Sequence, residues 1–199
     1  MKPERYEYLK GRALAMSVAL DERDEPTLRH CRRVAGLSIE LGRACGLSAR
    51  ELRLLQVAAA FHDVGKIGIP DRVLKKTTRF DADDWAIMRA HSEKGERIVL
   101  AAGLDENEPI ARAVRHHHER YDGAGYPDGL AGESIPILAR IIAVTDTYDA
   151  MASLRHYGHR RPHQQIVAVL QEERGRQHDG YVTDKFLGIV ERSPFRAPD

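Results

Sequence analysis

The chain is poor in cysteine. Among 199 residues there are two, Cys31 and Cys45, and they form no CxxC pair. Both fall in one predicted helix, about 21 Å apart at roughly 1.5 Å per residue, too far for a disulfide. They read as core thiols in a reducing compartment, with the cytoplasm as the expected location. Long apolar runs are also missing. The longest, "LLQVAAAF" and "ILARIIAV", are far too short to span a bilayer, and "MKPERYEYLK" at the N-terminus lacks the apolar core of a signal segment. Nor is there an excess of one charge. Thirty-one basic residues against thirty acidic give a net charge of +1. That argues against electrostatically driven DNA binding and leaves a local basic pocket open.

Strand-type alternation, internal repeats and low-complexity tracts are absent as well. What is present is a helical period. The reading is an all-α helical bundle built from one domain and a short extension, with 42% hydrophobic residues to fill a core. A helix is expected over 4–20. Residues 21–26 break the pattern. Thr27 then opens a helix whose stripe is His30, Val34, Leu37 and Leu41. Gly46 closes it. Ser48 with Glu51 forms a capping box for a third helix, which runs to about Gly65. "KIGIPDRVLKK" reads as a loop. Further helices are expected from Asp81 or Asp83 to Ala102, 107–119, 136–154, 162–174 and 182–191.

Ten histidines are many for this length, and their placement carries the chemistry. His62 and Asp63 end the apolar helix containing Ala58, Ala59, Ala60 and Phe61. That pair also fits a plain helix C-terminal cap. His30 lies on its apolar stripe, where a histidine is ordinarily a satisfied core residue. His91 shares a face with Met88, Gly95 and Ile98. His117 and His118 continue the stripe of Ile110, Ala113 and Val114. His116 falls off that stripe and is set aside as exposed. Asp146 sits in a strongly apolar helix. Five histidines and two aspartates thus face one core. Burying each independently would exceed the roughly 5–15 kcal/mol that stabilises a domain. Metal ions resolve the conflict, since imidazole nitrogen and carboxylate oxygen are their ligands. Seven donors suit two divalent ions sharing a carboxylate. With no thiolate in the set, Fe or Mn stand beside Zn as candidates.

The ordered motifs "RHCRRV", "HDVGKIGIPD", "HSEKGERI", "HHERYDGAGYPDGL" and "RIIAVTDTYDAM" resemble the HD-GYP domain of the HD phosphohydrolase superfamily. The similarity covers about residues 25–191, leaving 1–24 as an N-terminal helical extension and 192–199 as a C-terminal tail. It implies a phosphodiesterase that hydrolyses the cyclic dinucleotide cyclic di-GMP, with either linear pGpG or GMP as the final product. It implies one metal held by His30, His62, Asp63 and Asp146, with Asp63 bridging to a second held by His91, His117 and His118. Asp63 and Lys66 would be catalytic, Lys66 facing a substrate phosphate, and Asp149 and Arg155 would contact the nucleotide. Lys66 and Arg155 also read as solvated charges. Gly125, Tyr126 and Pro127 are the eponymous tripeptide. Tyr126 would be a surface for protein partners, a wall near substrate, or simply a ring packed on the bundle.

Some relatives bind a third metal through a glutamate where this chain has Pro26, so two metals are expected. Gly158 replaces a basic residue, and His178-Asp179-Gly180 replaces a familiar "FDP", both bearing on substrate affinity. Such domains usually follow a receiver or sensor domain, so the chain either acts alone or is a fragment. Its first helix, paired with a second copy, would give a homodimer. Two rival classes are an HD phosphohydrolase acting on another cyclic dinucleotide or nucleotide, and a non-catalytic signalling module that binds partners through the GYP loop.

Overall fold

A computed structural model describes residues 27–102, 107–153 and 160–199, together with Gly11, Ala15 and Val18, which are helical. The rest of the expected first helix, Pro26, Arg155 and Gly158 lie outside the described residues. The described chain is all-helical, with one isolated β-bridge, Arg174 to His178, and no strand. Its helices are α1 (Thr27–Ala44), α2 (Ala49–Phe61), α3 (Asp71–Leu74), α4 (Ala82–Arg89), α5 (His91–Ala101), α6 (Asn107–His116), α7 (Ile137–Ala152), α8 (His163–Glu173) and α9 (Gly180–Val190). No helix among the described residues is long and apolar enough to cross a membrane.

The α1–α2 pair forms as the sequence dictates. Val34, Leu37 and Leu41 are fully buried along one stripe, each worth roughly 1.5–3 kcal/mol against exposure. Gly46, at φ +80°, ends α1. The amides of Gly46 and Leu47 return to the carbonyls of Arg43 and Gly42 at 3.0 Å each, satisfying two orphan acceptors of the last turn. Ser48 and Glu51 then start α2 with a reciprocal capping box. Helix α1 packs on α2, α7 and α9, while α6 packs on α2, α5 and α7. Cys31 is buried in α1 and Cys45 follows its end; both are free thiols.

Three local expectations change. The long helix over 81–102 is broken at Ala90 into α4 and α5. At this point the His91 ring turns inward and donates from Nδ1 to the Met88 carbonyl at 2.7 Å. A side chain inserted into the helical ladder is a recognised cause of such a kink. The segment after Asp63 is not plain loop either. It forms a 3-10 turn, Val64–Gly68, and then α3, which begins directly after Pro70. The stretch from 192, read as a tail, folds back onto the bundle. Ala197 is buried and its amide donates to Tyr148 Oη at 2.8 Å. Tyr148 Oη in turn meets His163 Nδ1 at 2.8 Å, and the His163 amide donates to the Pro198 carbonyl at 2.9 Å.

The 3-10 turn sits against α5 at backbone contact distance. A Cβ on Gly65 would overlap the His91 carbonyl oxygen, and Gly95 on α5 likewise has no room for a methyl beside Val114. Gly65 therefore sets how closely the exit of α2 approaches the start of α5, and Gly95 how closely α5 approaches α6. Gly65→Ala is expected to cost about 3 kcal/mol and to impair metal binding. Gly46→Ala, at a left-handed position with nothing nearby, is expected to cost about 1–2 kcal/mol and to spare metal binding. Urea denaturation with metal analysis separates the two.

Candidate metal centre

Helix ends and one helix middle deliver the donors. His30 comes from α1, His62 and Asp63 from the exit of α2, His91 from the first residue of α5, His117 and His118 from just beyond α6, and Asp146 from α7. The structure brings all seven together. His30, His62 and Asp63 offer atoms within 4.8 Å of one another, as do His91, His117 and His118. Asp63 lies between the two groups. Its Oδ2 is 3.5 Å from His62 Nε2 and 3.9 Å from His30 Nε2, while its Oδ1 is 3.6 Å from His91 Nε2. Asp146 Oδ1 is 3.0 Å from His30 Nε2 and 3.8 Å from His62 Nε2.

The hydrogen bonds behind the rings decide what the site can hold. His62, His91 and His117 place Nδ1 at 2.7, 2.7 and 2.6 Å from the carbonyl oxygens of Ala59, Met88 and Val114. A carbonyl only accepts, so in each ring Nδ1 carries the proton and Nε2 keeps a lone pair. Yet these Nε2 atoms point at each other and at carboxylates. His91 and His117 meet Nε2 to Nε2 at 3.4 Å, and His62 meets His30 the same way at 3.3 Å. Converging lone pairs and carboxylate oxygens, buried or, at Asp146, largely so, are stabilised by positive charge between them. The donor set therefore fits divalent metal ions.

The electrostatics agree. Burial pushes the His118 imidazole down to about 3, helped by the nearby His91. It holds His117 well below its usual range, and it lowers His91 against the pull of Asp63. Neutral imidazoles are the form that ligates a metal. Burial alone would raise the Asp63 carboxyl, but Lys66 and the surrounding imidazoles outweigh it and keep it ionised. Asp146 behaves alike, held down chiefly by His30. His30 differs. Burial opposes its charge, yet Asp146 and Asp149 lift it to about 9, so a metal at its Nε2 takes the place of a proton.

Asp149, expected at the nucleotide, lines the cavity and also braces His30. Its Oδ2 accepts from His30 Nδ1 at 2.7 Å, and Arg33 grips both of its oxygens at 2.6 and 2.9 Å. It is buried behind His30 and fixes that ring's orientation, the usual support for a ligating histidine. Sequence reading passed over Arg33. The available signal was register: Arg33 follows His30 by three and Asp149 follows Asp146 by three, so the pairs face each other one helical turn apart. Lys66 Nζ lies 2.7 Å from Asp63 Oδ2. It lines a cavity of about 1170 Å³ shared with His30, His91, His118 and Asp146. The 178–180 segment is not among the residues lining that cavity. Asp179 instead caps α9 and pairs with Arg140 at 2.6 Å.

The GYP loop closes one side of the cavity. Tyr126 stacks on His118, with centroids 4.9 Å apart and planes at 29°. Arg89 lies 5.3 Å from its centroid, and burial pushes its phenol up. The peptide between Tyr126 and Pro127 is cis. Gly125 touches the Glu119–Arg120 backbone so closely that a Cβ would overlap it. His116, set aside as exposed, is in fact buried. Its Nδ1 donates to the Arg112 carbonyl at 2.8 Å and its Nε2 meets Asp128 at 2.9 Å. Arg115 holds both oxygens of Asp128 at 2.7 Å, and Glu119 accepts the Asp128 amide at 2.7 Å. Asp128, twelve residues along, folds back over His116, a tertiary contact that helical periodicity does not reveal.

A family model described as the HD domain matches residues 15–182, and the chain belongs to that family. It is 38% identical over 169 residues to the cyclic di-GMP phosphodiesterase response regulator RpfG of Xanthomonas campestris, covering 85% of this chain and 45% of that one. A cyclic di-GMP phosphodiesterase of Thermotoga maritima is 37% identical over 178 residues, covering 87% and 47%. The chain thus spans a little under half the length of these curated relatives. Among solved structures, the cyclic GMP-AMP specific phosphodiesterase V-cGAP3 of Vibrio cholerae superposes with a TM-score of 0.73 at 18% identity. That match covers 94% of this chain and 50% of the other, and it shows the same fold.

The role of Asp149 behind His30 is open to a direct check. Asp149→Ala removes the acceptor that orients the ring and is expected to weaken metal binding about 10–100-fold. Metal content after dialysis against graded chelator measures it. A change in substrate KM at unaltered metal affinity would instead place Asp149 at the nucleotide.

Proposed function

We propose that the chain is the catalytic domain of a metal-dependent phosphodiesterase that hydrolyses cyclic di-GMP to linear pGpG, and onward to GMP. The observation that carries this reading is the Asp63 carboxylate, whose two oxygens face two separate groups of imidazoles. His30, His62, Asp63 and Asp146 would hold one divalent ion, and Asp63, His91, His117 and His118 the other. The donors are nitrogen and oxygen only, which suits Fe or Mn and admits Zn. Such a pair of ions, when bound, polarises phosphate oxygens and supplies a water-derived nucleophile at neutral pH.

The chain's own residues do the rest. Lys66 sits at the cavity edge beside the bridging carboxylate and would neutralise charge growing on the phosphate oxygens. Arg33 and Asp149 keep His30 from turning. The cavity exceeds the usual size of small-molecule sites, leaving room for two nucleotides, and Arg29, Arg79, Arg160 and Arg196 on its lining suit a dianionic ligand. Arg155 would join them at the nucleotide. The activity of the two curated relatives favours cyclic di-GMP. The specificity of the Vibrio neighbour favours a second reading, cyclic GMP-AMP, on the same machinery. Gly125 and Pro127, on either side of the Tyr126 ring, would offer the loop's outer face to protein partners.

Protein purified without oxygen and loaded with Mn or Fe should convert cyclic di-GMP to pGpG, resolved by chromatography against competing cyclic dinucleotides. Asp63→Ala should fall to background and lose bound metal. Lys66→Ala should keep its metal and lose about 10²-fold in kcat. Turnover by the Asp63 variant equal to the parent protein would sink the reading.

A further inference from the structure

We infer that Trp85, with Phe80 and Arg89, forms the nucleobase-recognising wall of the cavity, and that the Trp85 indole stacks on one purine of the substrate. This deepens the cyclic dinucleotide reading and rests on it. Trp85 is the chain's single tryptophan. It lies on α4, lines the cavity, and remains 49% exposed. Leaving a large ring half in water at the mouth of a cavity is unfavourable unless something covers it.

The neighbours form a continuous surface. Phe80 meets Trp85 edge to face, with centroids 5.3 Å apart at 73°. The Arg89 guanidinium lies 5.9 Å from the Trp85 centroid and 5.3 Å from that of Tyr126, within cation–π range of both. Tyr126 stacks in turn on His118. One wall of rings and guanidinium therefore runs from a metal-ligand candidate out to solvent. A nucleobase sits one ribose away from the reacting phosphate, so the phosphate at the metal centre brings the base to this wall. Of the other cationic side chains of the lining, Arg29 and Arg33 come from α1, Arg160 and Arg196 from the C-terminal part of the chain, Lys66 from the 3-10 turn, and Arg79 from beside Phe80. Phe80, α4 and the GYP loop supply the ring surface. Stacking on an aromatic ring tolerates any base, because every base has a π-face. The wall would grip purines without choosing between guanine and adenine.

A single tryptophan makes the test direct. Metal-loaded protein is mixed with cyclic di-GMP in a stopped-flow fluorimeter, and indole emission is read before turnover. We expect rapid quenching. Trp85→Ala should raise KM about 10–100-fold with bound metal and melting temperature kept, and Trp85→Phe should recover most of the loss. Hydrolysis of cyclic di-GMP with unchanged indole emission, and a KM for Trp85→Ala within twofold of the parent, overturns the inference while the functional reading survives. If metal-loaded protein cleaves no cyclic dinucleotide, the functional reading fails. The wall is then judged by quenching with cyclic di-GMP, cyclic di-AMP and cyclic GMP-AMP. Quenching by any of them supports it, and silence with all three overturns it.

Discussion

The carbonyl oxygens of Ala59, Met88 and Val114 each accept a hydrogen bond from an imidazole three residues later in the chain. These three bonds fix which nitrogen faces the core. Once Nδ1 is committed to the backbone, Nε2 has only its lone pair to present. Three such nitrogens, together with His30, Asp63 and Asp146, then meet in one buried volume. Lys66 offsets part of the charge at Asp63, and cation binding among the converging donors serves the packing as well as the chemistry. The same bonds explain where the ligands sit in the chain. Each follows a helical turn whose carbonyl is available, at the end of α2, at the Ala90 kink and at the end of α6.

The scaffold brings these ends together by two means. Glycine at 65 lets the exit of α2 lie against the start of α5 at backbone distance, and glycine at 95 lets α5 close on Val114 of α6. The α1 and α7 helices instead face each other in register, so that one turn carries His30 opposite Asp146 and the next carries Arg33 opposite Asp149. The first means positions the Asp63 carboxylate, and the second orients a ligand candidate from behind. Neither relies on long-range charge, in keeping with a chain whose net charge is close to zero.

Much of this was legible in the sequence because it repeats at helical spacing. The stripe of Val34, Leu37 and Leu41 marked the core face of α1 and carried His30 with it. Ser48 with Glu51, and Gly46 before them, marked the turn between α1 and α2. The ligand set emerged because seven polar side chains on apolar faces are too costly to bury without cations between them. What stayed hidden depended on tertiary partners. His116 looked exposed because its cover, Asp128, arrives through a loop. Arg33 went unnoticed because its partner, Asp149, lies 116 residues away. The Ala90 break was invisible, since the period runs on through it and only the inward turn of His91 interrupts the ladder.

Tyr148 stands between Asp146 and Asp149 on α7, with its hydroxyl joined to the Ala197 amide and to His163. The segment that folds back at the C-terminal end is therefore moored to the same helical turns that present one ligand candidate and brace another. Residues 195–198 themselves line the pocket, and the Tyr148 phenol ties them to those helical turns. Position along the chain and distance from the chemistry are thus decoupled, and the far end of the sequence is mechanically among the nearest neighbours of the centre.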